Sequence, residues 1–205
     1  MAQRQYDIVN LKRLSLFTLF ITSYIPLFAL VIFRQFYNNW EFLHWGGLSI
    51  DSLHVFVKKF GVSTVLLMLS VIGLLGYFIT FSNIRANAAN GALVLLKDVK
   101  NKNSEAIGYI ATYIIPFLFQ NFETPYEIFA FSFLLFIIYR IYINSNMLLI
   151  NPLLTMRYAI YEIEYESRKK KCNGLVVTKE KFLPDDTEVK LYEIGHKLYF
   201  LTVNE

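Results

Sequence analysis

The stretch Gly61-Val-Ser-Thr-Val-Leu-Leu-Met-Leu-Ser-Val-Ile-Gly-Leu-Leu-Gly-Tyr-Phe-Ile-Thr-Phe81 holds no charge in 21 positions. At ~1.5 Å per helical residue it matches the ~30 Å hydrocarbon core of a bilayer. Leu14–Phe33 repeats the pattern with 20 uncharged residues behind a basic leader of Arg4, Lys12 and Arg13. Two weaker candidates follow. One is 106–122, which contains Pro116, and the other is 126–143, with Glu127 and Arg140 near its ends. Leu14–Phe33 is longer than the roughly 7–15 residues of a signal-peptide core. The residues after it, Arg34-Gln35-Phe36-Tyr37, lack a small-residue cleavage pattern, so it reads as an uncleaved helix.

Composition agrees. Of 205 residues, 55% are hydrophobic and 18% charged, against roughly 25% charged in a soluble domain. That excludes a disordered chain and argues against a soluble globular one. Cys172 is the single cysteine, which excludes an internal disulfide framework. The net charge of +4 is not spread evenly, since the chain from Asn144 onward holds 9 Lys/Arg and 9 Asp/Glu. With four passes, the leader, the connection 82–105 and the tail from Arg140 hold 17 Lys/Arg, and the other side holds 3. Cytoplasmic loops carry the Lys/Arg excess, so both termini are expected inside and the chain is expected in the inner membrane.

In the first outer connection, Trp40 and Trp45 suit the headgroup region. Ile50, Leu53, Phe56, Val57 and Phe60 recur at helical spacing after Ser49 or Asp51, either of which can cap a helix start. This segment reads as a short helix on the membrane surface or as an apolar loop packed on its neighbours. Ala92-Leu93-Val94-Leu95-Leu96 reads as a second interfacial helix or as a cytoplasmic extension of the second pass. Arg140 lies where its side chain can snorkel to the headgroups.

After the fourth pass the period changes. Asn151-Pro152 is a helix-ending signal. Ala159, Tyr161, Ile163 and Tyr165 then alternate with Glu162, Glu164 and Glu166, the pattern of a half-buried strand. A turn at 168–174, apolar Leu175-Val176-Val177, a turn at Pro184-Asp185-Asp186 and a hairpin through Gly195-His196 complete a small β module. The expected fold is therefore a mainly α membrane protein: a four-helix transmembrane domain over 1–150 and a cytoplasmic β-rich module over 151–205.

Little here carries chemistry. His44, His54 and His196 show no metal-ligand spacing, and no phosphate loop, nucleophile elbow or zinc-protease motif occurs. No catalytic residue, cofactor or metal site is expected. Arg168-Lys169-Lys170-Lys171 can attract anionic lipid or a partner, or stand as a solvated turn beside Glu162, Glu164 and Glu166. Ser70, Gly73 and Gly76 in the second pass, and Gly108 with Thr112 in the third, are small residues at helix-contact spacing.

Asn151-Pro152-Leu153-Leu154 followed by Arg157-Tyr158-Ala159-Ile160-Tyr161-Glu162-Ile163-Glu164 resembles a junction in small bacterial four-pass proteins. The whole layout resembles the KwaA family, the membrane subunits of the Kiwa anti-phage defence system. That resemblance implies a non-enzymatic inner-membrane sensor, assembled as a homo-oligomer, that recruits the cytoplasmic DNA-binding protein KwaB. It implies no catalytic residues. A reading of another class is a pore-forming effector that depolarises the cell, motivated by the Ser, Thr and Tyr content of the first and third passes.

Overall fold

A computed structural model of the chain describes residues 13–43, 47, 49–103, 124–144, 151–167 and 170–203. The expected third pass, with Gly108, Thr112 and Pro116, lies outside them, as do Trp45, Arg168 and Lys169. Three described helices are long and apolar enough to cross a membrane. These are α1 (Arg13–Asn38), α2 (Ile50–Asn87) and α3 (Pro125–Asn144).

α1 and α2 pack antiparallel. Near one end Gln35 accepts hydrogen bonds from the Ser63 amide (2.8 Å) and hydroxyl. Near the other, Gly76 faces Thr18. α2 departs from expectation, because Ile50–Phe60 and the second pass form one helix of 38 residues, about 57 Å long. Ser49 caps its start by accepting from the Ser52 amide at 3.1 Å. Nothing breaks it at Gly61, since a glycine inside a helix costs only about 1 kcal/mol relative to alanine. The helix is longer than a hydrocarbon core is thick, and its Ile50 end is the one away from the β module.

The β module is a five-stranded closed barrel: β1 (Ala92–Asn101), β2 (Ala159–Ser167), β3 (Lys170–Thr178), β4 (Glu188–Gly195) and β5 (Leu198–Val203). The order around the barrel is β1-β2-β3-β5-β4, closing back onto β1. β3 and β5 are parallel and the other pairs antiparallel. Here the structure corrects the sequence reading twice. Ala92–Leu96 is a strand, not a helix, and the barrel draws that strand from before the third expected pass. The module therefore does not begin after residue 150. β1 leaves α2 through a 3-10 turn (Ala88–Asn90) and Gly91. A Cβ on Gly91 would sit 2.8 Å from the Leu191 carbonyl carbon, so β1 enters the barrel against the β4 backbone.

The barrel interior is apolar and aromatic: Val94 and Leu96 from β1, Tyr161, Ile163 and Tyr165 from β2, Val176 from β3, Val189 and Leu191 from β4, and Leu201 from β5. Period two in β2 sends Glu164 and Glu166 outward to solvent, as expected. Two turns differ from expectation. Gly174 is not in a turn but in β3, where a Cβ would meet the Tyr199 ring at 2.6 Å. In the β4–β5 hairpin the positive φ falls on Lys197 (55°), not on Gly195.

Burial raises the phenol pKa of Tyr165, Tyr199 and Tyr161. Tyr165 also donates to the Tyr199 oxygen at 3.0 Å. The unfolded chain then loses these protons first, at about pH 10, and stability falls as the pH rises further. Circular dichroism of the full chain in detergent is expected to show a barrel whose stability is level up to about pH 10 and declines above it. Tyr165→Phe should flatten the decline. An equal decline in the variant would assign it to other groups.

Candidate functional site at the seam between barrel and helices

One side of the barrel, drawn from β2, β3, β4 and β5, is packed on the helix ends. Ile160, Val177, Ile194, Leu198 and Phe200 pack on Tyr77, Phe81, Ile84 and Ala88 of the α2 end, together with Leu19 of α1. Tyr158 bridges the two sides, with ring centroids 5.0 Å from Phe81 and 5.9 Å from Phe200.

A buried polar node pins this seam. Asn151, fully buried, donates to the Leu19 carbonyl (3.2 Å) and to Thr22 Oγ1 (2.9 Å). Its Oδ1 accepts from the amides of Leu153 (3.0 Å) and Leu154 (3.2 Å). Asn-Pro therefore starts a helix here rather than ending one. Asn151 is the N-cap and Pro152 the first residue of a single-turn helix, α4 (Pro152–Thr155), where proline's missing N–H costs nothing. Within α1, Thr22 and Ser23 both donate to the Leu19 carbonyl, at 2.8 and 3.0 Å. Pro26 lies one turn further on in the same helix and has no amide to give to the Thr22 carbonyl. At this level the C-terminal turn of α3 packs beside α1, with Phe17–Tyr139 at 5.6 Å and Phe20–Tyr142 at 5.4 Å. One asparagine thus joins the barrel's entry turn to α1, at the depth where α3 also meets α1.

Sequence reasoning missed this role. The available signal was Asn followed by Pro, a cap and first-position pair as much as a stop. The buried partner 129 residues away in the chain could not be read from it.

A family model described as anti-phage protein KwaA matches residues 15–200, nearly the whole chain. The chain belongs to the KwaA family of anti-phage proteins. No curated protein and no solved structure matches it.

Other expected site residues of this KwaA family member scatter. Trp40, in a 3-10 turn after α1, and Arg140, on α3, are exposed. Lys170 and Lys171 are exposed on β3, where they pair with Ser167 and Glu166. They stand at the opposite end of the β2–β3 ribbon from the Ile160–Val177 pair that packs on the helices, about 20 Å along the strand. Gly73 and Gly76 lie against α1: a Cβ on Gly73 would reach Ile21 Cγ2 at 2.6 Å, and one on Gly76 would collide with Thr18. Ser70, also buried, donates to its own helix at Leu66 O (2.8 Å). Among the described residues no group of His, Cys, Asp and Glu is placed to hold a metal.

The barrel's free outer face lies on β1 and β2, where Glu162, Glu164 and Glu166 line up. Glu162 pairs with Lys102 at 3.4 Å, and Glu164 and Glu166 are exposed.

Proposed function

We propose that this chain is a non-enzymatic sensor and scaffold of anti-phage defence in the bacterial inner membrane, which assembles as a homo-oligomer and recruits a cytoplasmic DNA-binding effector, KwaB. The observation that carries the reading is the seam. The barrel is strung between membrane helices on both its chain entries, at Gly91 and at Asn151, and is seated on their ends. Any change in helix packing therefore moves the module that faces the cytoplasm.

Strand pairing supports four passes. Asn103 is held at the barrel, where its Oδ1 accepts the Ile160 amide at 2.9 Å. Pro125 starts α3 about 25 Å from Tyr142, which packs at the seam level. On this reading the uncharged sequence 106–122 makes a further crossing between these two points. This topology puts both termini and the barrel on the Lys/Arg-rich side.

The alternative of a conducting pore gains nothing from α1 and α2. Their buried hydroxyls Thr22, Ser23 and Ser70 bond carbonyls of their own helices within the packed interface.

The free β1–β2 face suits a basic patch on the partner. Glu164→Lys with Glu166→Lys is expected to abolish co-purification of KwaB while the protein stays in the membrane fraction at normal yield. Undiminished KwaB recovery would move the docking site elsewhere.

A further inference from the structure

Beside the seam, on the side of α2 that carries Arg85, lies an open groove of about 480 Å³. Arg85, Ala88 and Ala89 form its membrane-helix wall, while Lys179 and Lys190 stand on the barrel wall with Glu180 as the one carboxylate. We propose that this groove binds the phosphate of an anionic lipid headgroup and so fixes the barrel to the bilayer surface. The proposal goes beyond effector recruitment and rests on the membrane reading above.

Three observations carry it. The first is depth. Arg85 comes four residues after Phe81, where the uncharged run ends, so it stands about 6 Å past the hydrocarbon, at headgroup level. The second is charge accounting. The lysines of β1 and the residue after it are matched by carboxylates: Lys97 with Asp186 at 2.9 Å, Lys100 with Asp98 at 3.0 Å and Lys102 with Glu162 at 3.4 Å. Arg85, Lys179 and Lys190 take part in no ion pair among the described residues, and only the Arg85 Nε is engaged, donating to the Phe81 carbonyl at 3.3 Å. Its two terminal nitrogens remain available for a phosphate, which a guanidinium grips with two parallel hydrogen bonds. The third is shape. The cations stand on two separate elements, so an anion between them links the membrane helix to the barrel, which neither could do alone. Lipid is favoured over a soluble anion because the groove opens beside a helix that crosses the bilayer.

The test uses the full-length protein in detergent micelles with added phosphatidylglycerol, with bound lipid counted by native mass spectrometry. Each cation removed is expected to weaken binding about fivefold. Arg85→Gln with Lys179→Gln and Lys190→Gln should therefore weaken it on the order of 100-fold. Lys97→Gln with Lys100→Gln should leave it unchanged. Glu180→Gln, which removes the one opposing charge, should tighten it severalfold, a gain that misfolding cannot produce. Equal retention by the triple variant, or no gain from Glu180→Gln, would overturn the proposal. So would displacement of the lipid by millimolar inorganic phosphate or by a short single-stranded DNA, which would assign the groove to a soluble phosphate or to nucleic acid. Failure of the membrane reading itself would show separately, as a chain monodisperse without detergent.

Discussion

Replacing Asn151 with alanine is expected to speed tryptic cleavage after Arg157 on the order of 100-fold, the signature of a seam opened by about 3 kcal/mol. The figure follows from what the side chain does. Losing an N-cap costs about 1 kcal/mol, and losing buried hydrogen bonds that leave polar groups unpaired costs about 1–3 kcal/mol more. Arg157 lies just past α4 and is itself exposed, so cleavage there reports local unwinding of this turn. Asn151→Asp separates the two halves of the role. A carboxylate still accepts from the Leu153 and Leu154 amides and keeps the cap. It cannot donate to the Leu19 carbonyl, and it buries a charge against that oxygen. The aspartate variant is thus expected to open at least as readily as the alanine one. If it cleaves as slowly as the native protein, Asn151 is only a cap and α1 is not tied to the barrel through it.

The second large effect lies along α2, further from the barrel. Gly73→Ile with Gly76→Ile should separate α1 from α2 and cost about 4 kcal/mol, taking roughly 2 kcal/mol for each overpacked site. The added carbons would occupy space held by Ile21 and Thr18, and pushing the helices apart would also strain the Gln35–Ser63 bonds. The measurement is the fraction of chain that stays monodisperse on heating in mild detergent. Gly61→Ala is the internal control. A Cβ there meets only Val57 Cγ1 at 3.6 Å, so alanine should be neutral or stabilising by up to about 1 kcal/mol. A double variant as heat-resistant as Gly61→Ala would show that the close approach of these helices is not what holds them.

These positions also mark how far the sequence could be read. The long helices were legible because an uncharged run of bilayer length suits a hydrocarbon core and little else. β2 was legible because Tyr161, Ile163 and Tyr165 alternate with three glutamates, and burial of the first set leaves the second on the surface. β1 was not. Val94 and Leu96 enter the barrel, but Leu93 is exposed and Leu95 only half-buried, so both faces are apolar and no period shows. Its partners Tyr161 and Leu191 lie 60 and 99 residues away from Asn101 and Ala92, and strand pairing at that distance leaves no local trace. The Asn151 pin and the cationic groove were hidden for the same reason. The pin joins α1 to the turn that precedes β2, and the groove combines helix and barrel residues, so only the closed fold brings either set together, whereas the contiguous basic run at 168–171 drew attention by adjacency alone.

The first barrel strand has a consequence for biogenesis. It leaves the ribosome about 100 residues before the last one, which at ordinary elongation rates means roughly 5–20 s without its β4 partner. During that interval the chain between β1 and β2, α3 included, is still being made. If the chain between Asn101 and Ala159 crossed a bilayer an odd number of times, β1 and β2 would lie on opposite faces of the lipid and the cylinder could not close. Closure of the barrel therefore requires both strands on one side, and a chain that failed this would be left with unpaired strand edges.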